Sequence, residues 1–315
     1  MTSSNAPFHR TVERRPGAPP CDVSVMAFNV LARGLQRAPA GDDPRADRVM
    51  QFEHRKHPNL AHVLTLAPTI CVLLEVDDVD EFYGPPLRAA GYDVIAERKS
   101  GGARDFTCVF FRAADLDLRR HHTERLGDSH SQFVVFCHFR SRRTKHEFVV
   151  IAQHAKAGRT EDAESIRFAH AERIVTTLLP EFVKDHAAPI GPRIVWAGDF
   201  NASPHSYGGR YPARVVPWLL HEEHEPSRPA CPIVFRSAVK DATGEHPLFT
   251  TCKRRDGAMI VQTIDYVLFA DGAARCVGHL PCPSADPERE LAPLFLPNEA
   301  WGSDHLSVYC ELQWR

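Results

Sequence analysis

The chain has 315 residues, 43% hydrophobic and 25% charged, enough to bury one large core or two modest ones. Its 38 Lys and Arg against 40 Asp and Glu leave a formal net charge of -2, which excludes a strongly basic nucleic-acid coat or an acidic tail and makes any polyanion site a local one. No stretch approaches the roughly 20 apolar residues that a membrane helix needs, and the nine cysteines contain no C-x-x-C pair, so no membrane partner, thiolate zinc site or disulfide framework is expected.

In chain order, "MTSSNAPFHRTVERRPGAPP" lacks the apolar core of a signal peptide and reads as a disordered arm over residues 1–20. With buried free thiols expected, the cytoplasm is the predicted compartment, and the Ser and Arg content of the arm leaves a mitochondrial address as the alternative. "VSVMAFNVL" is the first predicted strand. A helix through Val49, Phe52 and Arg55 is expected to be interrupted at Pro58, before Leu60 to Leu64. "TICVLLEV", "DVIAE" and "TCVFFR" follow as strands, and His121 and His122, after Arg119 and Arg120, read as an exposed loop. "QFVVFCHF" and "EFVVIAQH" flank "RSRRTKH", a hairpin pattern with a solvated, positive tip.

Helical spacing over "EDAESIRFAHAERIVTTLLPEFVKD" puts Ile166, Ala169, Ile174, Leu178 and Phe182 on one face, with Pro180 kinking or ending the helix. "RIVWAGDF", "TIDYVLF" and "LSVYCEL" complete the strands, while "PPCD", "PSRPACP" and the stretch from Pro281 to Pro297 read as loops. "HEEH" at His221 has its histidines three apart rather than the four of a zinc-protease helix, and reads as a turn. Strands apolar at every position have both faces covered. Residues 21–315 therefore read as one α/β domain, with helices outside a buried sheet system.

The polar residues of these strands cluster at their ends. Asn29, Glu75, His154 and the pair Asp199 and Asn201 close strands, while Asp265 and the pair Asp304 and His305 stand at the heads of the last two. If those last strands run antiparallel to the rest, all of these residues meet at one rim. Taken singly, an Asn after a strand is usually a turn residue and an acid a cap or loop end. Together they suit hydrolysis of a phosphate ester. Glu75 is the hard oxygen ligand that Mg²⁺ takes, and Asn29 and Asn201 orient groups without repelling a phosphate. Asp199 can position and deprotonate a water, His154 and His305 can hydrogen-bond the phosphoryl oxygens, and Asp265 can fix the tautomer of His305.

"VMAFNVLA", "ICVLLEVD", "QHAKAG", "WAGDFNASP", "TIDYVLF" and "SDHLSV" resemble, in order and spacing, the motifs of the endonuclease/exonuclease/phosphatase superfamily. "FEHRKHPNLAHVL" and the "H-x-K-A" of His154 to Ala157 are similar to its nocturnin and carbon-catabolite-repression deadenylase branch. The resemblance runs from about Val23 to the C-terminus. It implies a four-layered α/β sandwich, two central mixed β-sheets packed face to face with helices outside, and cleavage of phosphoester bonds with Mg²⁺, for which Mn²⁺ can substitute. It carries metal binding onto Glu75, with Asn29 beside it and Asp304 as a further carboxylate, and catalytic roles onto His154, Asp199, Asn201, Asp265 and His305. The chain departs from the branch at Leu74, Gln153 and Phe106, the last adding bulk near a loop that seats a base.

Two substrates follow from the resemblance: poly(A) RNA, shortened from its 3′ end, or a nucleotide such as NADP(H) losing its 2′-phosphate. Lys156 and Arg159, beside His154, can grip an additional phosphate, and Lys253, Arg254 and Arg255 offer a patch that can follow an RNA backbone. A non-catalytic scaffold of the same fold is the reading of a different class.

Overall fold

The computed structural model describes residues 10–35, 48–99, 105–127, 132–207, 210–222, 229–255, 258–282 and 296–315. Among these, the strands are β1 (Glu13–Arg14), β2 (Val23–Asn29), β3 (Ile70–Val76), β4 (Tyr92–Arg98), β5 (Phe106–Arg112), β6 (Leu116–Arg125), β7 (Phe133–Ser141) and β8 (Glu147–His154). They continue as β9 (Ile194–Asp199), β10 (Phe235–Ser237), β11 (Thr251–Arg255), β12 (Ala258–Gln262), β13 (Asp265–Ala270), β14 (Ala274–His279) and β15 (Val308–Trp314). One seven-stranded sheet has the order β1-β14-β15-β2-β3-β5-β4 and a six-stranded sheet the order β10-β13-β9-β8-β7-β6, with β11 and β12 as a separate hairpin.

The two sheets face each other across one apolar layer, with Val25, Val72 and Val109 on one side and Val135, Val150, Val195 and Phe269 on the other. The outer face of the six-stranded sheet is covered by α3 (Glu161–Arg173) and the segments after it, through Phe168, Ile174, Leu179 and Trp218. The outer face of the seven-stranded sheet carries α1 (Phe52–Leu66) and α2 (Gly84–Ala89), through Phe52, Val63 and Leu87. Helix, sheet, sheet and helix make the expected four layers. This is why the central strands bury both faces.

Several expectations need correction. The arm does not stay disordered to residue 20: Glu13 pairs with His279 and Arg14 with Gly278 in β1, and the Arg10 guanidinium donates to the carbonyls of Leu280, Pro281 and Ser307. Residues 1–9 lie outside the described part. His121 and His122 belong not to a loop but to β6, a charged edge strand whose polarity hid it. Pro58 does not interrupt α1. It removes one N–H from the ladder, while its neighbours Arg55 and Asn59 anchor the helix to the carbonyls of Val30 and Gly302.

The predicted face of α3 is also shifted. Ile166 is 41% exposed, and the buried residues are Ala163, Glu164, Arg167, Phe168 and Ala171. A buried ion pair, Arg167 Nη2 to Glu164 Oε2 at 2.7 Å, occupies the inward face, which hydrophobic periodicity does not count. The helix gives way to a π segment over Ile174–Leu178 and resumes as α4 (Leu179–Val183), so Pro180 starts a segment rather than ending one.

Candidate active site

Strand direction brings the polar strand ends together. β9 runs parallel to β8 and antiparallel to β13, which sets His154 and Asp265 on either side of Asp199 in register. β15 runs antiparallel to β2 and β2 parallel to β3, so Asn29, Glu75 and the segment holding Asp304 and His305 reach the same rim. Backbone detail turns the side chains inward. Glu75 has φ 58, with a register shift between Leu73 and Val76, a left-handed conformation that costs an L-residue about 1–2 kcal/mol. Gly198 has φ 152, and a Cβ there would stand 1.9 Å from the carbonyl oxygen of Gln153. No other residue lets β9 lie against β8 at this point.

Asn29 is the hub of the site. Its Nδ2 donates to Glu75 Oε1 at 2.9 Å and to Asp199 Oδ2 at 3.1 Å, while Glu75 Oε2 accepts from the Ala32 amide at 3.1 Å. Asp199 Oδ1 accepts the Asn201 N–H at 2.8 Å. Burial, then the charge of Asp265, pushes Asp199 up to about 7, above the usual carboxylate range.

His305 behaves oppositely. Burial works against its charge, but Asp265 and Asp304 outweigh that and raise it to about 9. Its Nδ1 donates to Asp265 Oδ2 at 2.9 Å, and that same oxygen accepts from Thr250 Oγ1 at 2.6 Å. Nε2 lies at the cavity, 3.5 Å from Lys253 Nζ and 3.8 Å from Asp304 Oδ1, and because the ring is held protonated both of its nitrogens are donors.

His154 stays neutral, held well below its ordinary value by burial and by the cations Lys99, His305 and Lys253. The Lys99 ammonium can only donate. At 2.9 Å from Nδ1 it places the ring proton on Nε2, which lies 3.7 Å from Glu75 and 3.6 Å from Asp199. Asp105 holds Lys99 in turn at 2.7 Å.

Glu75, His154, Arg159, Asp199, Asn201, Asp304 and His305 line one cavity of about 350 Å³. Asn29 and Asp265 stand behind it, each 1% exposed. Lys156 is not among the lining residues. Its backbone carbonyl accepts from Arg167 at 2.8 Å. Lys253 faces the cavity instead of forming an outer patch, its Nζ 2.7 Å from Asp304 Oδ2, and the side chains of Arg254 and Arg255 lie outside the described residues. Phe106 lines no part of the cavity and packs on the apolar cluster beneath α1.

The sequence reading missed Lys99, Thr250 and the pair Arg55 and Asn59. A lone Lys after a strand or an Arg inside a helix carries no pattern; only the tertiary contacts reveal them.

The donor set fits a divalent cation. Glu75 and Asp199 share one amide donor in a buried setting, where the hard oxygens around them suit an ion such as Mg²⁺ or Mn²⁺. Atoms of Asp199, Asp265 and His305 also lie within 4.8 Å of one another, but His305 Nδ1 is committed to Asp265. That group is a carboxylate and imidazole relay beside the metal-side carboxylates.

Residues 26–305 match the model of the Endonuclease/Exonuclease/phosphatase family. The chain belongs to this family. It is thus a phosphoester hydrolase, of a family whose enzymes are generally divalent-metal dependent. It is 24% identical to nocturnin of Xenopus laevis over 91% of this chain and 71% of that protein. It is 23% identical to carbon catabolite repressor protein 4 homolog 4 of Arabidopsis thaliana over 92% and 77%.

The human nocturnin catalytic domain with bound sulfate superposes with a TM-score of 0.72 at 22% identity, covering 98% of both chains. ANGEL2, described as a 2′,3′-cyclic phosphatase and solved with adenosine-2′,3′-vanadate, gives 0.70 at 17% identity over 96% of this chain and 98% of that one. These likenesses bear out the four-layered fold. Among the described residues no helix is long and apolar enough to cross a membrane.

Proposed function

We propose that the protein is a magnesium-dependent exoribonuclease of the deadenylase kind, releasing nucleotides from the 3′ end of poly(A) RNA. The observation that carries this reading is a buried carboxylate raised to about 7, Asp199, within 3.9 Å of an imidazole raised to about 9, His305, on one cavity wall. Near neutral pH the first can accept a proton and the second remains a donor, the two protonation states a phosphoester hydrolysis needs.

Asp199, oriented by Asn29 and Asn201, takes a proton from a water aligned with phosphorus, and the water oxygen displaces the 3′-oxygen of the preceding nucleotide. His305 Nε2 and His154 Nε2 donate to the phosphoryl oxygens as negative charge spreads over them. Asn201 holds the phosphate against the rim. Glu75, with Asn29 beside it and Asp304 nearby, would hold Mg²⁺, which when bound would supply charge neutralisation of the phosphoryl oxygens.

A specific observation favours a second reading. Arg159 lines the catalytic cavity and, among the described residues, makes no ion pair or side-chain hydrogen bond, as expected of a group waiting for a second phosphate such as the 2′-phosphate of NADP(H). The deciding assay incubates the protein and Mg²⁺ with 5′-labelled oligo(A) and with NADPH, using Glu75→Ala as the blank. Laddered shortening of the RNA supports the exoribonuclease, phosphate release from NADPH with intact RNA supports the phosphatase, and inactivity on both sinks both readings.

A further inference from the structure

The carboxylates gathered at the catalytic rim differ in whether the chain already supplies each with a cation. Asp265 Oδ2 accepts from His305 Nδ1 at 2.9 Å, Asp105 lies 2.7 Å from Lys99 Nζ, and Asp304 Oδ2 accepts from Lys253 Nζ at 2.7 Å. Glu75 and Asp199 are different. Their partners are the amides of Asn29, Ala32 and Asn201, and the imidazole nearest both, His154, is neutral. Two negative charges are thus left without a cation, which one divalent ion matches, and Mg²⁺ is commonly held by one or two carboxylates.

The pairing of Lys253 with Asp304 is built into the fold. Thr251 Oγ1 donates to the Asp304 carbonyl at 2.7 Å, Thr251 bridges to His305, and the Leu306 amide donates to the Thr250 carbonyl at 2.6 Å. These contacts fasten the start of β11 to the segment that carries Asp304, and Lys253 follows two residues later. Its side chain is 15% exposed and that of Asp304 7%, so this is not a solvated surface pair. On its other side, Asp304 Oδ1 stands 3.8 Å from His305 Nε2. A second divalent ion on Asp304 would meet the ammonium and the imidazolium at close range, where little water screens the repulsion.

The second cavity, of about 740 Å³, adjoins the catalytic one through Arg159, Tyr207, Ile260 and Gln262 and gives no alternative seat. Among the described residues Glu245 is the one carboxylate on its wall, against Arg159, Arg210 and Lys240. Its field repels a metal ion.

We propose that Lys253 stands in for a second metal ion, its ammonium fixed on Asp304, so that the site takes a single divalent cation at Glu75 and Asp199. The proposal rests on the metal-dependent reading above. It makes the number of ions a property of one side chain, since removing the ammonium exposes a further carboxylate beside the first two.

The test counts ions on the full chain. Metal-free protein is titrated with Mn²⁺, followed by electron paramagnetic resonance, to a free concentration about a hundredfold above the Kd of the first ion. The wild type should bind one ion per chain, displaced by Mg²⁺ and lost in Glu75→Gln. Lys253→Met should bind two, while Lys253→Arg, which keeps the charge, and Lys253→Met combined with Asp304→Asn should each bind one. Circular dichroism checks that each variant is folded, and Lys253→Gln repeats the measurement should the methionine variant fail to fold. Two ions on the wild type, or a single ion on the folded uncharged variant, overturns the proposal and leaves the metal reading standing. No Mn²⁺ on the wild type overturns the metal reading and the proposal with it.

Discussion

Two buried charged clusters lie within one loop of each other, and they are built on opposite principles. Under the loop after His154, Arg167 gives Nε and Nη2 to Glu164 Oε2 and Nη1 to the carbonyls of Lys156 and Gly158, while Glu164 Oε1 accepts the amides of Arg214 and Val215. Donors and acceptors match. At the rim, the carboxylates of Glu75 and Asp199 share a single Asn29 amide group and add only one backbone amide each, from Ala32 and Asn201, with no guanidinium between them, and Asp199 is pushed up to about 7 by burial and by Asp265. A matched cluster holds a loop in place; a short-handed one keeps free-energy differences between protonation states small enough for chemistry.

The largest effect should come from removing the raised carboxylate. Asp199→Asn is expected to lower kcat by about 10³-fold, within the span of lost general-base catalysis, while leaving the urea midpoint of the metal-free protein at pH 8 unchanged or higher. A midpoint that falls sharply would make Asp199 structural and erase the contrast. Glu75→Gln should lower kcat by about 10²–10³-fold and abolish the rise in melting temperature that Mg²⁺ gives the wild type, since only a ligand bound to the native state stabilises it. An undiminished Mg²⁺ shift would remove Glu75 from the metal.

The matched cluster should respond in the other currency. Arg167→Met leaves Glu164 buried and unpaired, so urea denaturation should show a loss of about 3–5 kcal/mol, with kcat falling only through disorder of the adjoining loop. A loss below about 1 kcal/mol would show the pair to be dispensable.

A smaller and more diagnostic effect is the pH profile. Because Asp199 must be ionised, kcat/KM should rise through about 7. Because His305 must be protonated, it should fall above about 9. Raising Mg²⁺ should move the lower limb to lower pH, and a flat profile between pH 6 and 10 would refute both assignments. Last, Lys99→Met should cost about tenfold in kcat by releasing the tautomer of His154, read as a return of the His154 ring toward its ordinary titration in NMR.

Much of the site was legible before any tertiary contact was known. Asn29, Glu75, His154, Asp199, Asp265 and His305 each sit at the end or head of an apolar run, and although each singly reads as a turn or cap residue, their joint placement points to one rim. Their convergence needed only the assumption that the last strands are antiparallel, which β13 and β15 satisfy. Lys156 and Lys253 show the limit. Both were read as phosphate or RNA contacts, yet Lys156 does not line the cavity and Lys253 is committed to Asp304.

What the sequence determined by itself was that the apolar runs of the two sheet centres are strands, that they are buried on both faces, and which chemical groups stand at their ends, because hydrophobic pattern and residue type are local properties; the polar edge strand β6 and the short β1 escaped it. What only the tertiary structure decided was how those groups are charged and held. The neutrality of His154 depends on Lys99, the inward face of α3 on an ion pair, the continuity of α1 through Pro58 on carbonyls far along the chain, and the second cavity on segments brought together by folding. Protonation states and ion pairs arise from groups distant in sequence and close in space, acting where little water remains to screen them.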